Sequence, residues 1–233
     1  MAQLYAGTSG FAYPAWKPAF YPEKLAQKKF LEHYATRLNG VEINYTFRHL
    51  PSANTLANWV AQTPDGFLFA AKAHQNLTHI QRLKDSEFID VFFKAIDPLR
   101  ATRRLGPVLF QLPPNFKVDE ALLAAFLERV PKDIRCAFEF RNASWLTDGV
   151  YTILEKHGVA LCLAESDTFE IPHVLTAGFV YLRLRKTNYS PEEREQVSER
   201  VNGLVTGGRD VFVFFKHEDT PEGALYAEAL LRP

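Results

Sequence analysis

Short apolar runs rich in Val, Leu, Phe and Tyr recur along the chain, each bounded by Gly, Pro, Asn or charged residues. Brevity and such punctuation predict strands rather than buried helices. Eight segments read this way: Leu4 to Thr8, Val41 to Tyr45, Phe67 to Ala73, Pro107 to Leu112, Arg135 to Phe140, Ala160 to Glu165, Phe179 to Arg185 and Val211 to Lys216. Between them, amphipathic spacing predicts helices over Glu23 to Leu38, Ala53 to Ala61, Glu87 to Arg104, Asp119 to Arg129, Leu146 to His157, Pro191 to Leu204 and Pro221 to Leu231. The sixth connection, Ser166 to Gly178, is too short for a full helix. Pro191 and Pro221 fall where a first-turn proline is tolerated, while His157-Gly158 and Asn202-Gly203 read as helix exits. Pro98 is expected to break or kink the third helical region.

Strand and helix alternate without a composition shift or flexible linker, which predicts one parallel sheet with crossover helices. Eight such units in 233 residues, close to the roughly 250 typical of the architecture, give an α/β fold. The expectation is a single-domain (β/α)8 TIM-type barrel over residues 1–233, its closed parallel sheet ringed by helices and its sixth helix short or missing. An open doubly wound sheet is the alternative, but no GxGxxG or GxxxxGK[ST] follows any strand.

In a closed parallel barrel the outward face packs on helices, and polar side chains near the strand carboxyl ends face the mouth. Strand parity then places Glu42 and Asn44 inward on the second strand, Lys72 and His74 at the end of the third, and Gln111 at the end of the fourth. Glu139 and Arg141 share a face on the fifth, as do Tyr181, Arg183 and Arg185 on the seventh. The eighth strand is ambiguous, so Lys216 and His217 are both retained; on the sixth, Asp167 is a better inward candidate than Glu165. From this ring Glu42, Lys72 and Glu139 are the candidate catalytic groups. Asn44, Gln111, Arg141, Arg183, Arg185 and Lys216 are the candidate anion-binding groups. Arginine forks match phosphate and carboxylate oxygens, and barrels hold phosphate beside strands seven and eight. In this reading Arg183 and Lys216 hold the anion, Glu42 or Glu139 moves a proton, and Lys72 stabilises developing negative charge or, if desolvated, forms a Schiff base. The competing reading is a structural network, Glu42 with Lys72 and Glu139 with Arg183, that closes the barrel and binds nothing. The Gly7-Thr8-Ser9-Gly10 turn is either an anion nest or a tight glycine turn. Ser9, Tyr13 and Trp16 in the first loop are candidates for a lid, with packing on the first helix as the alternative.

Several ordered motifs carry a resemblance. Gly7-Thr8-Ser9-Gly10-Phe11 with Tyr13 and Trp16, Phe20-Tyr21-Pro22, Val41 through Phe47, Lys72 with Thr78-His79, Gln111-Leu112-Pro113-Pro114, Glu139-Phe140-Arg141 with Ser144-Trp145, and Tyr181-Leu182-Arg183 together resemble the YecE-like family, domain of unknown function 72. The resemblance runs almost end to end and implies a TIM-type barrel; it brings no established activity. Relatives often carry Tyr-x-Arg-x-His-Gly at the seventh strand and Asn-rich residues after the eighth, where this chain has Arg183-Leu184-Arg185-Lys186 and Lys216-His217-Glu218-Asp219.

Lys plus Arg and Asp plus Glu each total 27, so the formal net charge is zero. Any anion site must be local, and long nucleic acid is a disfavoured partner. Cys136 and Cys162 show no CxxC or Cys/His spacing, which points to reduced thiols and a cytoplasmic protein. No basic start precedes an apolar run, and no stretch approaches the roughly 20 apolar residues of a membrane helix. No cofactor is identified, and a divalent metal on Glu42, Glu139 and Asp167 is possible but disfavoured, because nearby Lys and Arg compete for the carboxylates and no HxH, HExxH or DxD spacing occurs. The expected partner is a small anionic molecule, and the best-fitting activity is acid/base chemistry (hydrolase, lyase or isomerase) on a phosphorylated or carboxylated metabolite. The alternatives are a metal-dependent phosphodiesterase or nuclease, and a non-catalytic binder of nucleotide or single-stranded nucleic acid. Oligomeric state is not fixed by the sequence.

Overall fold

The computed structural model describes residues 1–167, 171–216 and 219–232. Among them eight strands form one sheet: β1 (Leu4–Thr8), β2 (Gly40–Ile43), β3 (Leu68–Lys72), β4 (Leu105–Gln111), β5 (Cys136–Glu139), β6 (Ala160–Glu165), β7 (Phe179–Leu184) and β8 (Asp210–Phe215). From β2 to β8 each strand pairs in parallel with the next, and β8 returns to pair with β1 over Leu4↔Val211 to Thr8↔Phe215. The barrel is therefore closed apart from the seam between β1 and β2, which meet only at the Ser9↔Glu42 bridge. The helices α1 (Phe30–Tyr34), α2 (Tyr45–Arg48), α3 (Ala53–Ala61), α4 (Phe88–Ala101), α5 (Glu120–Arg129), α6 (Asp148–Lys156), α7 (Pro191–Thr206) and α8 (Glu222–Leu231) lie in the connections, and none is found between β6 and β7 among the described residues.

Side chains stitch the seam where the ladder is missing. The Tyr34 hydroxyl accepts the Thr8 N–H at 2.8 Å and donates to the Gly40 carbonyl at 3.0 Å. Asn39 accepts from Ala6 N–H at 2.9 Å and donates to the Leu4 carbonyl at 2.8 Å. These backbone groups would otherwise be buried without partners. Gly7 permits the approach, since a Cβ there would fall 1.9 Å from the Gly40 carbonyl oxygen.

The interior is layered. Tyr5 stacks on Phe212 and Tyr181 packs against Phe212 and Phe214, so Phe212 and Phe214 are the inward residues of β8 and make an aromatic floor. Ionisable groups of β2, β5 and β7 lie above it, towards the carboxyl ends. The outward face carries Val41, Phe69, Val108, Phe138 and Leu182, all buried beneath the helices.

Four local expectations change. The predicted Glu23 to Leu38 helix reduces to a 3₁₀ turn at Gln27–Lys29 and the short α1. Between Glu23 and Lys29 only Leu25 and Ala26 are apolar, so no continuous stripe is available to pack. The second strand stops at Ile43, and Asn44 takes the position before α2, with no side-chain capping bond, instead of continuing the strand. Pro98 does not end α4, because it lies in the last turn, where a lost N–H removes one bond of an otherwise packed helix. Asn202-Gly203 does not end α7, which continues to Thr206 and stops at Gly207-Gly208, with Gly208 at φ +86°.

Candidate functional site

The parity of β2, β4, β5 and β7 brings Glu42, Gln111, Glu139 and Arg183 together at the carboxyl end of the barrel. Arg183 is 2% exposed and lies between the two carboxylates. Its Nη2 donates to Glu42 Oε1 at 2.6 Å, and its Nη1 donates to Glu139 Oε2. Ser9 Oγ donates to Glu42 Oε1 at 2.7 Å and the Tyr181 hydroxyl to Glu42 Oε2 at 2.8 Å. Gln111 Nε2 donates to Glu139 Oε2 at 2.8 Å, which leaves its Oε1 to accept from Lys72 Nζ at 3.0 Å. Arg141 Nε reaches Glu139 Oε1 at 3.1 Å, and Arg185 Nη2 stands 3.5 Å from the same oxygen.

Burial alone would raise the Glu42 carboxyl, but the Arg183 charge and the hydrogen bonds from Arg183, Ser9 and Tyr181 hold it below the usual carboxylate range. Glu139 is held down as well: burial is overcome by Arg183, Arg185 and Arg141, with Gln111 adding a hydrogen bond. Both are locked carboxylates with little basicity to offer. Arg183 is equally committed. Glu42 and Glu139, expected to move a proton, and Arg183, expected to hold the anion, are thus paired with one another. The sequence alternative is right about the Glu139–Arg183 pair and wrong about Glu42 with Lys72, since Glu42 takes Arg183 as well.

What remains for chemistry lies around this base. Lys72 is half-buried, its Nζ 4.2 Å from the centre of the Phe47 ring. Burial, reinforced by Arg183 and Arg141 and opposed by Glu42 and Glu139, brings its amine down to about 8. The His79 ring meets Phe47 edge-on at 5.0 Å and its Nδ1 lies 2.8 Å from Thr78 Oγ1. Burial and the cations Lys72, Arg141 and Arg82 lower its pKa, so the imidazole is neutral near pH 7. His79 is set by a π-helical turn, Asn76–Ile80, followed by Arg82 and Leu83 at φ +49° and +63°. Non-glycine residues are strained there, and such strain collects at functional sites. His74 instead accepts the Asn76 N–H through Nδ1 and packs on Phe88, as a loop residue.

Arg185 connects this group to a cavity of about 440 Å³ at the carboxyl ends of β7 and β8, lined also by Lys186, Lys216, Asp219 and Glu222. Its Nε is buried without an acceptor, as is Asn44 Oδ1 without a donor. Lys216 is exposed on the rim. His217 lies outside the described residues. Asp167 accepts from Thr187 N–H and Oγ1, tying two loops together rather than joining the carboxylates.

The first loop is a packed plug and not an open lid. Trp16 is fully buried against Tyr13, Phe20 and Tyr21, and Ser9 is spent on Glu42. Only Tyr13 keeps partial exposure, with its hydroxyl donating to the Ser9 carbonyl at 2.9 Å. The Gly7–Gly10 turn is no anion nest either: Thr8, Ser9 and Gly10 N–H go to Tyr34, the Phe215 carbonyl and the Glu42 carbonyl. Among the described residues no three His, Cys, Asp or Glu side chains are grouped to hold a metal ion. Sequence parity passed over Tyr181 as a site residue, although it shares a face with Arg183. It gave no sign of Phe47, which reaches Lys72 only because the chain turns helical after Asn44.

The family described as "Protein of unknown function DUF72" matches residues 5–233. The protein YunF of Bacillus subtilis is 34% identical over 259 aligned positions, spanning 95% of this chain and 91% of YunF. YecE of Escherichia coli K12 is 28% identical over 63% of this chain and 51% of its own length. The crystal structure of a DUF72 family protein from Thermotoga maritima superposes with a TM-score of 0.87 at 28% identity, covering 98% of this chain and 97% of that one. The motifs quoted from the sequence and the barrel they build thus agree with both comparisons, and the chain belongs to the DUF72 family.

Proposed function

We propose that this barrel is a cytoplasmic enzyme that binds a small phosphorylated or carboxylated metabolite at the carboxyl ends of β7 and β8 and uses Lys72 for proton transfer. The observation that carries the proposal is a surplus of cations, one of which, Arg185, lines a cavity. Lys72, Arg141, Arg183 and Arg185 surround two carboxylates, so the group carries two positive charges beyond balance when Lys72 is protonated. Arg183 absorbs its share, leaving Arg185 on the wall of the 440 Å³ cavity beside Lys216. A guanidinium Nε buried without an acceptor costs about 1–3 kcal/mol, and Arg185 Nε is such a group. Barrels of this architecture work at this face and hold phosphate after strands seven and eight.

Of the groups at the mouth, Lys72 is best matched to acid/base work near neutrality, because an effective catalytic pKa lies close to the working pH. Hydrolase, lyase and isomerase chemistry all require such a group. The buried, unpaired thiols Cys136 and Cys162 support a reducing compartment.

A thermal-shift panel of sugar phosphates, nucleotides and di- and tricarboxylates tests the reading. A phosphorylated or carboxylated compound is expected to raise the Tm of the wild type and to lose that effect in Arg185→Ala and Lys216→Ala. A panel without any stabilising anion, or a shift that survives both substitutions, overturns it.

A further inference from the structure

We infer that Lys72 is a carbonyl-trapping amine: its Nζ forms a Schiff base with an aldehyde or ketone that also bears the phosphate or carboxylate bound at the mouth. The inference rests on the anion site proposed above and adds the substrate class.

Two carboxylates lie in the same ring as Lys72, yet among the described residues it makes no ion pair: Glu42 is paired with Arg183, and Glu139 with Arg183, Arg141 and Arg185. Its acceptor is the neutral Gln111 Oε1, and its remaining surroundings are the face of Phe47 and the nearby cations. The Gln111 amide is locked in orientation, since Nε2 donates to Glu139 Oε2, which Arg183 in turn holds. Lys72 can therefore lose its proton without breaking an ion pair and keep its aim while neutral. The charged and titratable groups facing it are Arg183, Arg141, Glu42 and Glu139, with His79 behind Phe47 and subject to the Lys72 charge. A desolvated lysine among other cations is the arrangement that activates an amine towards carbonyls.

The chemistry balances with groups at hand. The Nζ lone pair attacks the carbonyl carbon, a C–N bond forms, and the carbonyl π pair moves to oxygen. A proton passes from nitrogen to that oxygen, giving the carbinolamine. The hydroxyl takes up one further proton and leaves as water, while the nitrogen lone pair closes the C=N bond. The resulting iminium carries the single positive charge the ammonium had, so the surrounding charge balance is unchanged, and its N–H is still accepted by Gln111 Oε1. The proton that the ammonium gives up before attack equals the one that the hydroxyl takes up, so the sequence is proton-neutral overall.

Lysine reactivity measured on the wild-type protein tests this without a known substrate. The probes are formaldehyde, pyruvate and dihydroxyacetone phosphate, each with sodium cyanoborohydride at pH 7, followed by peptide mapping. An amine titrating near 8 has far more unprotonated form at neutral pH than an ordinary lysine at 10.5, so Lys72 is expected to be modified roughly tenfold or more faster than the exposed Lys24 and Lys28. Inorganic phosphate should slow the reactions of the two anionic probes at Lys72, and Lys72→Arg should remove the adduct. Equal or slower modification of Lys72 with all three probes overturns the inference. If phosphate binding persists in that case, only the covalent step fails; if phosphate does not bind, the anion-site reading fails with it.

Discussion

Arg183 bridges two buried carboxylates, and for Glu42 it is the one cation in an ion pair among the described residues. Removing one partner of such a group leaves uncompensated charge in a dry interior, so Arg183→Met is expected to destabilise the fold by about 3–5 kcal/mol, read by chemical denaturation. Lys72 should behave in the opposite way. Its folded pKa lies near 8, below its ordinary 10.5, so the folded state binds fewer protons than the unfolded state between those values. Stability therefore rises as pH increases through that window, and the cost of charging Lys72 is fully present below it. Lys72→Met is expected to stabilise the protein at pH 7 by about 1–3 kcal/mol, with the gain shrinking towards pH 10.5. Denaturation curves of both proteins at pH 7 and pH 10 would check this; a loss of stability at pH 7 would mean that Lys72 is structural. Alternating parity was enough to select Glu42, Gln111, Glu139 and Arg183 from the chain. It could not show which groups consume one another, because pairing depends on reach and depth within the barrel and not on which face a residue takes.

The elements differ in how far local sequence determines them. Strands β4, β6, β7 and β8 follow their apolar runs closely, since each is buried on both faces and bounded by turn residues. The segments around the site depart most. The chain between Glu23 and Leu38, the turn after Asn44 and the π turn at Asn76–Ile80 are shaped by tertiary demands: Tyr34 must reach the seam, Phe47 must cover Lys72, and His79 must meet Phe47. No spacing rule encodes these. The seam itself gives an element-scale test. Tyr34→Phe removes one hydroxyl and strands both the Thr8 N–H and the Gly40 carbonyl, which should cost about 1–3 kcal/mol in denaturation. Hydrogen exchange at Thr8 should accelerate with it, and an unchanged rate would show that the β1–β2 contact is held by other means.

At the scale of the whole molecule, a formal charge of zero coexists with a cluster of Arg185, Lys186 and Lys216 at one end of the barrel, beside Asp219 and Glu222. The architecture was legible in the sequence because the number of strand–helix units and their regular alternation point to the closed barrel that β8 completes by pairing with β1. The closed barrel then fixes which end carries chemistry. It pairs Glu42, Glu139 and Arg183 with one another and puts Arg185 and Lys216 on the wall of the cavity. The most direct test of this division is calorimetric titration of inorganic phosphate into the wild type and Arg185→Gln, with fold integrity checked by circular dichroism. The account predicts saturable binding of one phosphate per chain in the wild type, weakened tenfold or more in the variant, in line with the loss of about 1.5–3 kcal/mol for a hydrogen bond to a charged group. Equal affinities in the two proteins, or no binding to the wild type, would contradict it.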